Sequence, residues 1–221
     1  MKTFTIANLK VTAVRASDAR ICYILYPFDA LGEWIEQAAD TFGVSVVTIE
    51  GMDWDNDLTP WPAKGQHPGC PDFEGHAPAF LALIRDEVLP ETERRLNLVG
   101  DVERTLAGVS LSGLFALWQW LTDDTFRNII SLSGSFWYEG FVGWVKSRPA
   151  PKKTGRAYFL LGNQEAKTTV KAFRTVQTDT AEIAAWLMGR GIDDIFELVP
   201  GNHYQYALQR LDRSFAWMFG K

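Results

Sequence analysis

The run Gly108-Val109-Ser110-Leu111-Ser112-Gly113 places a serine where a short apolar stretch gives way to a longer one of helical period. Thr105-Leu106-Ala107 has the make-up of a buried strand end, and residues 114–121 that of a helix packed back onto a sheet. A serine on so tight a strand-turn-helix elbow has its hydroxyl pushed out of the backbone, towards solvent and any base nearby. The turn tolerates only small side chains two positions to either side. Gly108 and Ser112 meet that demand for Ser110, whereas centring the turn on Ser112 would put the bulky Leu114 at one of those positions. Ser110 is therefore the candidate nucleophile, with Ser112 standing where the usual Gly-x-Ser-x-Gly pattern has glycine. A helix simply capped by serine is the plainer reading of the same residues.

An alcohol is a poor nucleophile at neutral pH. It needs a base within hydrogen-bond reach, and the base needs a partner that fixes its tautomer. The chain has three histidines. His203, in Pro200-Gly201-Asn202-His203-Tyr204, directly follows the last expected strand and is the candidate base; a helix-start histidine capped by Asn202 is the alternative. His67 and His76, taken with Cys70, lack a fourth ligand and fit no standard spacing, so no metal is expected. The acid should follow the penultimate strand, in the chain order serine, acid, histidine. Glu165 is the only carboxylate there, while Asp193 and Asp194 fall before the last strand, at the wrong end of the sheet. Asn163 in the acid's place, leaving a Ser–His dyad, stays open. Two backbone N–H groups should meet the developing oxyanion: Leu111, after the nucleophile, and Phe28 or Asp29, after the strand ending at Tyr26. This chemistry requires no cofactor.

Such residues need elements to position them. Short apolar runs suggest strands near 3–6, 20–26, 44–50, 104–107, 129–132, 157–161 and 194–199. Between them, apolar spacing of three and four suggests helices near 32–41, 73–89, 111–122, 169–190 and 203–219, with Pro90 ending or kinking the second. Alternation of this kind implies an α/β fold, a mostly parallel sheet covered by helices on both faces, with function in the loops at the strands' carboxyl ends. With 221 residues and no linker or repeat, a single domain over 1–221 is expected. Residues 51–72 lack periodicity and carry four prolines, reading as a wall or partial lid. Of nine tryptophans, Trp54, Trp61 and Trp137 fall in loops and are candidates for a substrate-binding wall.

The composition, 47% hydrophobic and 22% charged, is that of an ordinary globular protein. A formal net charge of -5 without a basic run argues against nucleic-acid or acidic-membrane partners. Neither a signal-peptide core nor a membrane-spanning run is present, so a cytoplasmic location is expected, with Cys22 a buried thiol and no disulfide framework. Nothing in the sequence speaks to the oligomeric state.

Three segments carry a resemblance: 107–116 around Ser110; Ser131-Leu132-Ser133-Gly134-Ser135-Phe136-Trp137-Tyr138; and Gly201-Asn202-His203. Over most of its length the chain resembles the esterases of the α/β-hydrolase fold, the group containing esterase D-like and enterochelin-esterase-like proteins. The Ser-Gly-Ser-x-Trp run is similar to that of siderophore esterases, and Asp53 to Trp61 resembles a loop of a bacterial branch of the group. The larger siderophore esterases carry an extra N-terminal domain that has no counterpart here, which points away from their substrate. The resemblance implies Ser110 as nucleophile, His203 as base and hydrolysis of an ester; members differ in their acid. The leading expectation is a serine carboxylesterase acting on a small or medium acyl ester. Acyl transfer at the same site, ligand binding without catalysis, and an interaction surface built on Trp54 and Trp61 are the alternatives.

Overall fold

The computed structural model describes residues 1–16, 19–26, 31–149 and 155–220. Eight strands form one sheet: β1 (Lys2–Ile6), β2 (Leu9–Val14), β3 (Arg20–Leu25), β4 (Ser45–Glu50), β5 (Glu103–Val109), β6 (Asn128–Leu132), β7 (Arg156–Gly162) and β8 (Asp193–Val199). Their spatial order is β1-β2-β4-β3-β5-β6-β7-β8. From β4 to β8 every pairing is parallel, and the β1–β2 hairpin is added antiparallel at one edge. The expected α/β architecture is the one observed.

Side chains of the parallel strands are apolar on both faces because helices cover both. On β3, Cys22 and Ile24 pack with Trp34 and Ile35 of α1 (Gly32–Phe42) and Phe215 of α7 (Ala207–Phe219). On the opposite face Ile21, Tyr23 and Leu25 join Leu114 and Phe115 of α4 (Leu111–Thr122) and Ile183 and Leu187 of α6 (Val176–Met188). Among the described residues, no helix is long and apolar enough to cross a membrane.

Several elements differ from expectation. The strand β2 has the alternating burial of a half-covered strand, with Leu9, Val11 and Ala13 inward. It is turned back on β1 through Ala7 and Asn8, both at positive φ. The expected helix at 73–89 begins later, as α2 (Ala77–Leu83), and passes through a π turn at Ile84–Val88 into α3 (Leu89–Arg95). That wider turn lets the helix run through Pro90, whose ring would otherwise press on the preceding turn. An additional helix, α5 (Phe141–Lys146), follows β6. The helix expected from 169 opens as a 3-10 turn at Ala172–Thr175 before α6. The last helix starts at Ala207, which leaves His203 in a preceding turn.

At the end of the sheet remote from Ser110, Asp193 pairs with Arg156 at 2.8 Å. Its neighbour Asp194 buries both carboxylate oxygens without a hydrogen-bond partner among the described residues. Burial, helped by the like charge of Asp193, pushes its pKa from the ordinary 3.8 up to about 6. A raised acid is penalised as pH climbs from its unfolded value through its folded one. The cost is absent below 3.8 and complete above about 6. Because the residue as a whole is only half-buried, solvent screening trims it to about 1 kcal/mol. Asp194→Asn is therefore expected to raise Tm by about 2–4 °C at about pH 8 and by almost nothing at about pH 3.5, read by thermal melts.

Candidate active site

The switch in strand order falls at β3, which lies between β4 and β5, and the serine turn follows β5 directly beside it. Ser110 adopts φ 59 and ψ −120, a conformation that costs an L-residue steric strain and persists only where its surroundings hold it. The holding groups are specific. Ser110 N–H donates to the Leu132 carbonyl at the end of β6, and Ser135 N–H donates to the Ser110 carbonyl, both at 3.0 Å. A Cβ at Gly108 would collide with the Ser112 carbonyl, so glycine is required there. The fully buried Ser112 hydroxyl accepts the Val109 N–H at 2.7 Å and donates to the Leu25 carbonyl at 2.6 Å, tying the elbow to the end of β3.

After β7 the chain turns sharply, with Glu165 N–H on the Gly162 carbonyl at 3.1 Å. The turn drives the Glu165 side chain inward, to 3% exposure. Its Oε1 accepts the Gly162 N–H at 2.6 Å, the Ser133 hydroxyl at 2.7 Å and Arg210 Nη1 at 3.1 Å. Its Oε2 faces His203 Nδ1 at 2.8 Å. A carboxylate can only accept, so Nδ1 carries the proton, and in the neutral ring Nε2 is left as an acceptor. Asn163, the other candidate for this place, is exposed, and among the described residues its side chain makes no bond to His203. Burial pushes the Glu165 carboxyl up, but the bonds from His203, Ser133 and Gly162 N–H outweigh it and hold its pKa below the ordinary 4.5.

Ser110 and His203 line one cleft of about 500 Å³ together with Tyr26, Trp54, Leu132 and Tyr204. A second lobe of about 440 Å³ shares Ser110 and His203 and continues past Trp137, Phe173 and Lys167. The Ser110 hydroxyl lies 3.2 Å from that of Ser135; among the described residues no hydrogen bond joins it to His203. Leu111 opens α4, so its N–H belongs to the first turn, whose donors a helix leaves without an internal acceptor. Phe28 and Asp29, the candidates for the second oxyanion donor, lie outside the described residues.

The three loop tryptophans separate. Trp54 lines the first lobe, and Trp137 lines the second, its ring 4.5 Å from that of Phe173. Trp61 is not in the lining of either lobe. Its indole donates to the Glu139 carbonyl at 3.0 Å, and its ring packs on Tyr138, Phe141 and Trp144, as a pillar under the loop. The 51–72 segment is pinned in the same way: Leu58, Thr59 and Pro60 are buried, Ala63 bridges to Phe73, and the Tyr138 hydroxyl donates to the Trp61 carbonyl.

Ser133, Ser135 and Arg210 are site residues to which the sequence reading assigned no role. Arg210 left a signal: it falls on the same helical stripe as Leu211, Ser214, Phe215 and Met218, where a charge needs a buried partner.

Ser112→Ala strands the Val109 N–H and is expected to cost about 1–3 kcal/mol in urea denaturation. A depressed acid stabilises the fold fully above its unfolded pKa and loses that contribution as pH falls through the folded one. The stability gap between the parent and Glu165→Gln should therefore be widest at about pH 7 and close progressively below 4.5, read as Tm against pH.

The Esterase family model, described as "Putative esterase", matches residues 24–216. A Bacillus subtilis protein described as uncharacterized protein YbbA is 25% identical over 199 residues, covering 86% of this chain and 80% of its own length. Among solved structures, the siderophore hydrolase EstB from Aspergillus nidulans superposes with TM-score 0.80 at 21% identity, covering 99% of this chain and 95% of that one. An IroE-like serine hydrolase from Shewanella oneidensis gives TM-score 0.80 at 17% identity, with 99% and 79% covered. At these identities the structural likeness is one of fold. The family match spans most of the chain, and on it the protein belongs to the esterase family of the α/β-hydrolase fold, as a carboxylic ester hydrolase.

Proposed function

We propose that the chain hydrolyses esters through a Ser110–His203–Glu165 triad. The observation that carries this reading is the Glu165–His203 bond at 2.8 Å in a cleft that also holds Ser110 on its elbow. His203 Nε2 takes the proton from Ser110 Oγ as the oxygen attacks the ester carbonyl. The Leu111 N–H, with a second donor from Phe28 or Asp29, receives the oxyanion. Collapse expels the alcohol, which takes the proton from His203 and leaves an acyl-Ser110. Water, deprotonated by the same imidazole, then releases the acid and restores the serine. Glu165 holds the Nδ1 proton throughout and balances the transient imidazolium.

The two lobes meeting at Ser110 suit an ester with a substantial group on each side of the scissile bond. The rings of Trp54, Trp137 and Phe173 supply apolar walls for such groups. The description of EstB as a siderophore hydrolase makes aromatic siderophore-type esters a sensible early panel.

A fluorophosphonate probe, read by intact mass and peptide mapping, is expected to label Ser110 and no other residue, and Ser110→Ala is expected to abolish labelling and ester turnover. A folded parent protein that takes no label would overturn the hydrolase reading in favour of ligand binding on the same scaffold.

A further inference from the structure

Arg210 is 5% exposed on the apolar stripe of α7, and burying a guanidinium is costly unless its donors are engaged. Its engagements all lead to one place. Nη1 donates to Ser133 Oγ at 2.8 Å and to Glu165 Oε1 at 3.1 Å, and Nη2 donates to the carbonyl of Asn202, the residue before His203, at 2.7 Å. Nε finds no partner among the described residues, so the side chain is sited for its two terminal nitrogens.

We infer that Arg210 is a positioning residue that sets the Glu165–His203 contact by holding both of its ends with one guanidinium. The inference rests on the proposed hydrolase site and adds a component to it.

On the acid side, Arg210, Ser133 and Gly162 N–H all converge on Oε1. A carboxylate has two equivalent oxygens, and loading one of them fixes which lone pairs are left for His203. The Ser133 hydroxyl has one proton. Because it accepts from Arg210, that proton is directed to Glu165, and the two bonds support each other. On the histidine side, the Asn202 carbonyl anchors the turn whose next residue supplies the imidazole. The two nitrogens of the fork are held at fixed separation, so the distance between acid and base inherits the rigidity of a planar group. The space is matched to this fork. A Cβ at Gly162 would come within 2.4 Å of the Gly201 carbonyl, 2.6 Å of Arg210 Nη2 and 2.9 Å of Glu165 Oε1, so the turn itself leaves no room beside the fork. Lysine keeps the charge but has a single nitrogen and cannot hold both ends.

The test is Arg210→Lys beside the parent protein, with folding checked by near-UV circular dichroism. Three readouts are taken: probe labelling at Ser110, kcat and KM on one ester, and the His203 tautomer by 15N NMR. With three histidines in the chain, the His203 signal is assignable by His203→Gln. The expected result is a loss of about 10–100-fold in kcat and labelling rate with KM within about two-fold, since Arg210 edges the cleft but spends its terminal nitrogens on Ser133, Glu165 and the Asn202 carbonyl. The His203 ring should pass from the Nδ1–H form to a mixture of tautomers. A variant that keeps its labelling rate within about two-fold and stays in the Nδ1–H form would overturn the inference. So would a rise in KM at constant kcat. Should Arg210→Lys fail to fold, Ser133→Ala breaks the same network from the other side. It is expected to cost about 3–10-fold in kcat and to move the tautomer in the same direction, and an unmoved tautomer there overturns the inference. The NMR signal reports on the acid–base contact whether or not Ser110 reacts. An unlabelled Ser110 in the parent therefore counts against the hydrolase reading, and an unmoved tautomer counts against the role of Arg210.

Discussion

A carboxylate taken out of water loses several kcal/mol of hydration, and it persists in the interior only where donors replace that hydration. Glu165 is such a group, and its replacements come from four separate segments: the end of β7, the loop after β6, the turn after β8, and α7. Only Gly162 is near Glu165 in sequence; Ser133 lies 32 residues before it, and His203 and Arg210 lie 38 and 45 residues after. The carboxylate therefore acts as a registration mark for one end of the sheet. If β6, β7 or β8 slid by one residue, donors would move away by more than a hydrogen bond can stretch, and the charge would be left unpaired. The parallel strands, the short turn at Gly162 and the burial of Arg210 are consistent with one another because they all serve this single anion.

Beside that anion the elbow is fastened independently. The Ser112 hydroxyl does what glycine at the same place could not: it takes the Val109 N–H and gives its own proton to the Leu25 carbonyl. Since β3 and β5 are hydrogen-bonded neighbours, this joins the tips of two adjacent strands where the sheet's order reverses. The departure from the common glycine is a gain of two bonds on a backbone that is already strained at Ser110.

What could be read from the sequence followed how local the cause was. The need for a small residue at Gly108 is set within four residues, by the Ser112 carbonyl, and a motif exposes it. Glu165 and His203 lie 38 residues apart, yet both follow parallel strands, and the strand-end rule brings their turns to the same edge. Arg210 and Ser133 are 77 residues apart on unlike elements, and no periodicity links them. The strand β2 did leave its alternation of Leu9, Val11 and Ala13, but its turn pairs Asn8 with Ala7, both at positive φ, so only one of its two residues carries the usual hairpin signature. Trp61 shows the limit most clearly. An aromatic in a proline-rich loop can be a wall or a pillar, and only Tyr138, Phe141 and Trp144, some 80 residues on, decide which.

The contact between the Ser110 and Ser135 hydroxyls has a consequence for timing. In the proposed mechanism, a serine resting on a neighbouring hydroxyl would turn about its side-chain bond to meet the base. Such rotations take about a nanosecond or less, whereas enzymes typically turn over about ten times per second. The delay itself is negligible against chemistry. What the contact can alter is occupancy: every 1.4 kcal/mol by which Ser135 holds the hydroxyl would thin the reactive orientation about tenfold. For the proposed nucleophile, Ser135 thus bears on how often it is ready, and hardly at all on how fast it becomes so.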